Sequence, residues 1–168
     1  MKRSFIFAAL LCLFSLGANA QIKSAKLTAS GLTCSMCSKA IFKHLQKLSV
    51  IQKLDVDVES STYLISFKPD AKVSPDALKK AVEDAGFAVA SLQMTASFPR
   101  LEVAAGAPVP YGGAYYRILN TSGSQVLEGE RTFTVVDKGF LAPADYKKFS
   151  AAAGVKAPVE GRVYNVIL

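Results

Sequence analysis

The chain has 168 residues, 51% of them hydrophobic, and a formal net charge of +7, room enough for one domain or two small ones. Its basic residues are spread along both halves with no block of like charges, which argues against the dense basic stripe of a nucleic-acid binder. Three cysteines, Cys12, Cys34 and Cys37, are too few for a disulfide-stapled scaffold.

Met1-Lys2-Arg3 is a short basic start, Phe5 to Leu16 is an apolar run broken only by Ser15, and Ala18-Asn19-Ala20 supplies a small-x-small cleavage pattern. Residues 1–20 are therefore expected to be a cleaved signal peptide. The run is shorter than the ~20 residues a membrane-spanning helix needs, so no membrane association is expected after cleavage. The mature protein would be exported, periplasmic or secreted. Loss of Lys2 and Arg3 lowers the net charge from +7 to +5, and loss of Cys12 leaves Cys34 and Cys37.

Ile22 to Ala29 alternates apolar and polar residues as a strand does, and Ser30-Gly31 breaks it. From Ser35 the period becomes helical: Cys37, Ile41, Leu45 and Leu48 share a stripe opposite Lys39, Lys43 and Lys47. Val50 to Val58 and Thr62 to Lys68 alternate about a turn at Ser60-Ser61, the pattern of a hairpin. Ser74 as N-cap, Pro75 in the first helical position and Asp76 in the first turn open a second helix, which Gly86 closes. Phe87 to Met94 is a further strand. Strand, helix, strand, strand, helix, strand is the split βαβ order of an α+β, ferredoxin-like domain over residues 21–94.

The character changes at Thr95. Residues 95–113, rich in proline and glycine, are expected to be a linker or loop. Strands are expected at 114–119, 125–127 and 131–137, with turns at 120–124 and at Glu128-Gly129. A short helix over 143–153 ending at Gly154 and a closing strand over 161–168 complete a second, small, mainly β domain at 114–168. It has no Cys or His, and its acids are scattered without a nucleophile–base pair, so its role is unassigned. Tyr111, Tyr115, Tyr116 and Tyr164 are expected to pack on strand faces rather than to form a binding surface.

The chemistry lies in the stretch from Ala29 to Leu45. Cys34 falls in a strand-to-helix loop and Cys37 in the first turn of the helix, where unpaired amides and the helix dipole favour thiolate over thiol. Such a pair can be a redox couple, part of a zinc site, a soft-metal clamp or a structural bridge. Structural zinc wants four ligands, and nothing nearby supplies the others. A soft ion content with two thiolates, such as Cu(I), fits the spacing, and Hg(II) fits as well. Thr33 offers no carboxylate to a harder ion. Met36, between the cysteines, is either a further soft contact or, the favoured reading, exposed apolar surface for docking. His44, the one histidine, lies ~10 Å further along the helix and is expected at the edge of the helix–sheet interface.

The segment GLTCSMCSKAI, the element order that follows it and AVEDAGFAV near its end resemble the heavy-metal-associated domains of copper chaperones and heavy-metal ATPases. The exported form is also similar to periplasmic mercury-binding proteins. The resemblance spans residues 21–94 and implies a ferredoxin-like fold with Cys34 and Cys37 as metal ligands. It further implies that Phe87 is an apolar lid beside the metal loop. Leu32 replaces the family's usual methionine, which packs under the loop rather than binding metal, a volume-conserving exchange. The function expected is an exported, non-enzymatic Cu(I) chaperone with no catalytic residue. It would pass the ion by thiolate exchange to a transporter or cuproprotein, with Lys39 and Lys43 orienting an acidic partner. Alternatives are an Hg(II) scavenger, an interaction protein whose C-terminal part does the main work, and a thiol–disulfide oxidoreductase. A thioredoxin-type fold, however, would need a longer βαβ start and a cis-proline loop facing the cysteines, and no suitable proline precedes Pro69.

Overall fold

The computed structural model describes residues 21–32, 35–153 and 159–168. The expected signal peptide, Thr33, Cys34 and the helix stop at Gly154 lie outside the described residues. In chain order the elements are β1 (Gln21–Ser30), α1 (Ser35–Gln46), β2 (Ile51–Asp57), β3 (Thr62–Phe67), α2 (Pro75–Asp84) and β4 (Ala88–Val103). There follow β5 (Pro108–Tyr111), β6 (Ala114–Ile118), β7 (Gln125–Val135), α3 (Pro143–Ala153) and β8 (Val163–Ile167).

The first six elements form the expected split βαβ arrangement, with β2, β3, β1 and β4 side by side and antiparallel. Alternation decides the faces. Leu27 of β1 stands opposite Tyr63 of β3 and Leu92 of β4, and all three are fully buried. Ile41 and Leu45 of α1 and Leu78 and Val82 of α2, spaced at three or four residues, join them in the core. α2 begins as its sequence dictates: Ser74 accepts from the Ala77 amide at 3.4 Å, and Pro75 takes the first helical position.

The C-terminal part departs from expectation. Residues 95–113 are not a linker: β4 runs on to Val103 without a break, and β5 follows. Leu92, Met94, Ala96 and Phe98 continue one inward-facing row past the expected boundary. Pro99, which read as a breaker, sits where the β4–β7 register shifts between Phe98 and Leu101, a bulge that needs no amide from it. Pro108 and Pro110 are tolerated because β5 is an edge strand, paired only with β6.

The turn expected at Glu128-Gly129 is likewise absent. β7 is one strand, and Gly129 (φ 72°) lies opposite Phe98 at that bulge. α3 occupies the expected helix, and β8 lies within the expected closing strand.

The strands after β4 extend the same sheet rather than starting another, in the order β2-β3-β1-β4-β7-β8-β6-β5. Among the described residues only the β6–β8 pair is parallel. The sheet bends until its far edge returns to its middle: the Tyr111 hydroxyl of β5 donates to the Ser97 carbonyl of β4 at 2.6 Å, and the Phe98 and Tyr111 rings lie 4.5 Å apart. Tyr111, Tyr116 and Tyr164 are buried in this fold-back, and Tyr115 is half-buried, so the tyrosines pack on strand faces as expected. Among the described residues no helix is long and apolar enough to cross a membrane.

Candidate metal centre

Two chain segments converge at one end of the sheet. The first is the end of β1, where Ser30 pairs with Ala88 at the start of β4 and Gly31-Leu32 then leads toward α1. Gly31 has φ 85°, a conformation a residue with a Cβ adopts only at a cost. Leu32 is half-buried and packs against the core, as expected of a side chain that supports the loop rather than binds metal.

The second segment is the end of α2. The Gly86 amide bonds the Glu83 carbonyl at 2.9 Å and the Phe87 amide bonds the Val82 carbonyl at 3.2 Å. These are the paired bonds of a Schellman motif, with Gly86 in the left-handed position that ends the helix (φ 88°). The motif sets the direction in which Phe87 leaves the helix. Its half-buried ring packs on the core, and its Cδ1 lies 3.9 Å from where a side chain on Gly31 would begin. The aromatic thus lies beside Gly31, where β1 ends.

The helix that follows holds the remaining predicted residues that are described, Thr33 and Cys34 lying outside them. Cys37 is in the first turn of α1 and is half-buried, while Met36, beside it, is 70% exposed. Lys39 and Lys43 are exposed further along the helix, and His44 is half-buried in its last turn, away from the loop. No acidic residue stands in the first turn of α1, so no carboxylate there competes with the helix dipole for a thiolate. Among the described residues no three His, Cys, Asp or Glu side chains cluster as a metal cage.

One residue of this region carried no signal in the sequence. Tyr63, on the inward row of β3, is fully buried and donates its hydroxyl hydrogen bond to the Ser38 carbonyl at 3.1 Å. Burial pushes its phenol above the ordinary value. The charge available to Cys37 adds to that shift. In the sequence Tyr63 is one more apolar position of an alternating strand. Its hydroxyl acquires meaning only once α1 lies over it.

The comparisons agree with this geometry. The family model for the heavy-metal-associated domain matches residues 26–88. The mercuric transport protein periplasmic component of Pseudomonas fluorescens is 37% identical over 68 residues, covering 40% of this chain and 74% of that protein. Its counterpart from Acinetobacter calcoaceticus is 32% identical over 87 residues, covering 52% of this chain and 93% of that protein. Among solved structures, oxidized MerP from Ralstonia metallidurans CH34 is 33% identical and covers 42% of this chain and 96% of that one. Its TM-score of 0.38 is too low to bear on the fold by itself.

Proposed function

Because this chain belongs to the heavy-metal-associated domain family, we propose that it is an exported, non-enzymatic carrier of one soft metal ion, held between Cys34 and Cys37 and passed on by thiolate exchange. The observation that carries the reading is the placement of Phe87 against Gly31, beside a loop that leads into a helix whose first turn contains Cys37. A two-coordinate thiolate site leaves the ion short of ligands. An incoming thiolate from a partner can then bind before the outgoing one leaves, and transfer needs no free ion. Phe87 covers one side and limits water and competing ligands there. Met36 beside Cys37 and the exposed Lys39 and Lys43 further along α1 would present a surface on which an acidic partner with a soft ligand of its own would dock.

Cu(I) is the first ion expected, since it favours low-coordinate sulfur. A specific observation also favours Hg(II): the curated relatives are named as mercuric transport proteins and as periplasmic components. Those names support an exported location for this chain as well. The split βαβ order gives no support to a thioredoxin-type oxidoreductase.

The test is a competition titration of the reduced protein with Cu(I) and with Hg(II) in turn. One equivalent of ion per chain is expected, and Cys34→Ser with Cys37→Ser is expected to abolish uptake. Retention of binding by that double variant would sink the reading, and the tighter of the two ions identifies the cargo.

A further inference from the structure

We propose that Tyr63 is a positioning residue for the metal site, holding the Cys37 end of the loop–helix junction against the sheet through its hydrogen bond to Ser38. This rests on the reading of Cys37 as a ligand and adds to it a residue from a different element.

Tyr63 lies on one inward row with Leu27 and Leu92, and Val56 pairs with it on its other side. Every other member of that row is aliphatic, and for filling space beneath α1 a phenylalanine would serve as well. A buried phenol costs free energy unless its hydroxyl is satisfied, so its presence asks for an acceptor. The acceptor is the main-chain carbonyl of Ser38, a buried residue directly after Cys37. A helical carbonyl there already accepts from the amide four residues on, and its second lone pair is open to the phenol. The bond is therefore additional to those that make the helix. It ties the helix's first turn to β3, a strand paired on both sides by β1 and β2.

The consequence is preorganisation. A metal ligand held close to its bound position before the ion arrives loses less freedom on binding, and the difference appears as affinity. Ser38 is one residue from the ligand, so small displacements of its carbonyl are passed directly to the Cys37 main chain.

The experiment is a competition titration of Hg(II) alone into the reduced full chain, reading both affinity and the thiolate-to-metal charge-transfer absorption. It is run on the unaltered protein, on Tyr63→Phe and on Ile65→Val, a buried position on the same strand that serves as a packing control. Tyr63→Phe is expected to keep one ion per chain, to lose roughly five- to tenfold in affinity, the scale of one hydrogen bond, and to change the absorption band. Ile65→Val is expected to keep the affinity and band of the unaltered protein despite a lowered melting temperature. Unchanged affinity and band in Tyr63→Phe, with normal uptake by the unaltered protein, would overturn the role of Tyr63 and leave the carrier function standing. An equal affinity loss in Ile65→Val would assign the effect to general stability and overturn it too. No uptake by the unaltered protein would remove the carrier reading itself and this inference with it.

Discussion

At the scale of single residues the site depends on main-chain conformation as much as on its sulfurs. Gly31 and Gly86, both at positive φ, bracket Phe87, one placing the loop beside the ring and the other sending the ring toward the loop. Space is not what forbids a side chain on Gly31, because its Cβ would meet the nearest Phe87 atom at 3.9 Å, an ordinary contact. The left-handed conformation is what forbids it. Gly31→Ala is accordingly expected to lower stability by about 1–2 kcal/mol, measured as a shift in the urea midpoint at unchanged slope. A change well under half a kcal/mol would mean that the loop relaxes to negative φ at no cost. Leu32 fits the same picture, since its support role requires apolar volume and no sulfur.

Among the elements, α2 is the one both parts of the chain hold. Its C-terminus delivers Phe87, while its N-terminus is gripped by residues next to and within β8. The Tyr164 hydroxyl donates to the Asp76 carboxylate at 3.0 Å and accepts from the Asp76 amide at 3.4 Å. Arg162 donates to the same carboxylate at 2.9 Å and lies over the Tyr164 ring at 4.5 Å. Its other arm reaches Asp137, which also bonds the Asn165 side chain. Burial pushes the Asp76 carboxyl up, but the bonds from Arg162 and Tyr164 outweigh it and hold the carboxyl below its ordinary 3.8. A lowered folded-state pKa means that this contribution to stability is present above the unfolded value and is lost as pH falls through the folded one. The stability of the unaltered protein should therefore decline below about pH 4, and Asp76→Asn should show a shallower decline over the same range. Urea midpoints at neutral pH and at about pH 3 check this, and parallel curves for the two proteins would refute it. Because Asp76 and Arg162 are both partly exposed, the effect is modest and weakens with salt.

For the whole molecule, the fold-back of the sheet governs stability at the opposite end of the pH scale. Tyr111, Tyr116 and Tyr164 are packed ring against ring with Phe98, Phe133 and Phe140. Burial pushes the Tyr111 phenol up to about 12 and moves Tyr116 and Tyr164 upward as well. For Tyr116 the cause is plain, since its hydroxyl is buried and has no hydrogen-bond partner among the described residues. A phenol whose folded pKa is raised favours the folded state fully below the ordinary value of 10, and that contribution is lost as pH rises through the folded value. Tyrosinate absorbance is thus expected to grow in step with loss of tertiary circular dichroism between about pH 10 and pH 12, and Tyr116→Phe to resist alkali better than the unaltered protein. Ionisation of all the tyrosines at about pH 10 without unfolding would contradict the buried ladder.

What the sequence by itself determined is local. Alternation placed β1, β2 and β3, helical period placed α1 and α2, and Ser74, Pro75 and Gly86 marked the ends of α2, because each signal acts within a few residues of where it is read. The position of Cys37 in the first turn of α1 was legible for the same reason. Tertiary structure alone decided that β4 continues past Met94. Thr95 and Ser97 face outward and Ala96 is small, so that stretch forms a strand because β1, some seventy residues earlier, and β7, some thirty residues later, pair with it on its two sides. The parallel pairing of β6 with β8, the Arg162–Asp76 tie and the Tyr63 hydroxyl beneath Ser38 are of the same kind. Each joins groups far apart in the chain, and no local pattern encodes a partner that folding alone brings near.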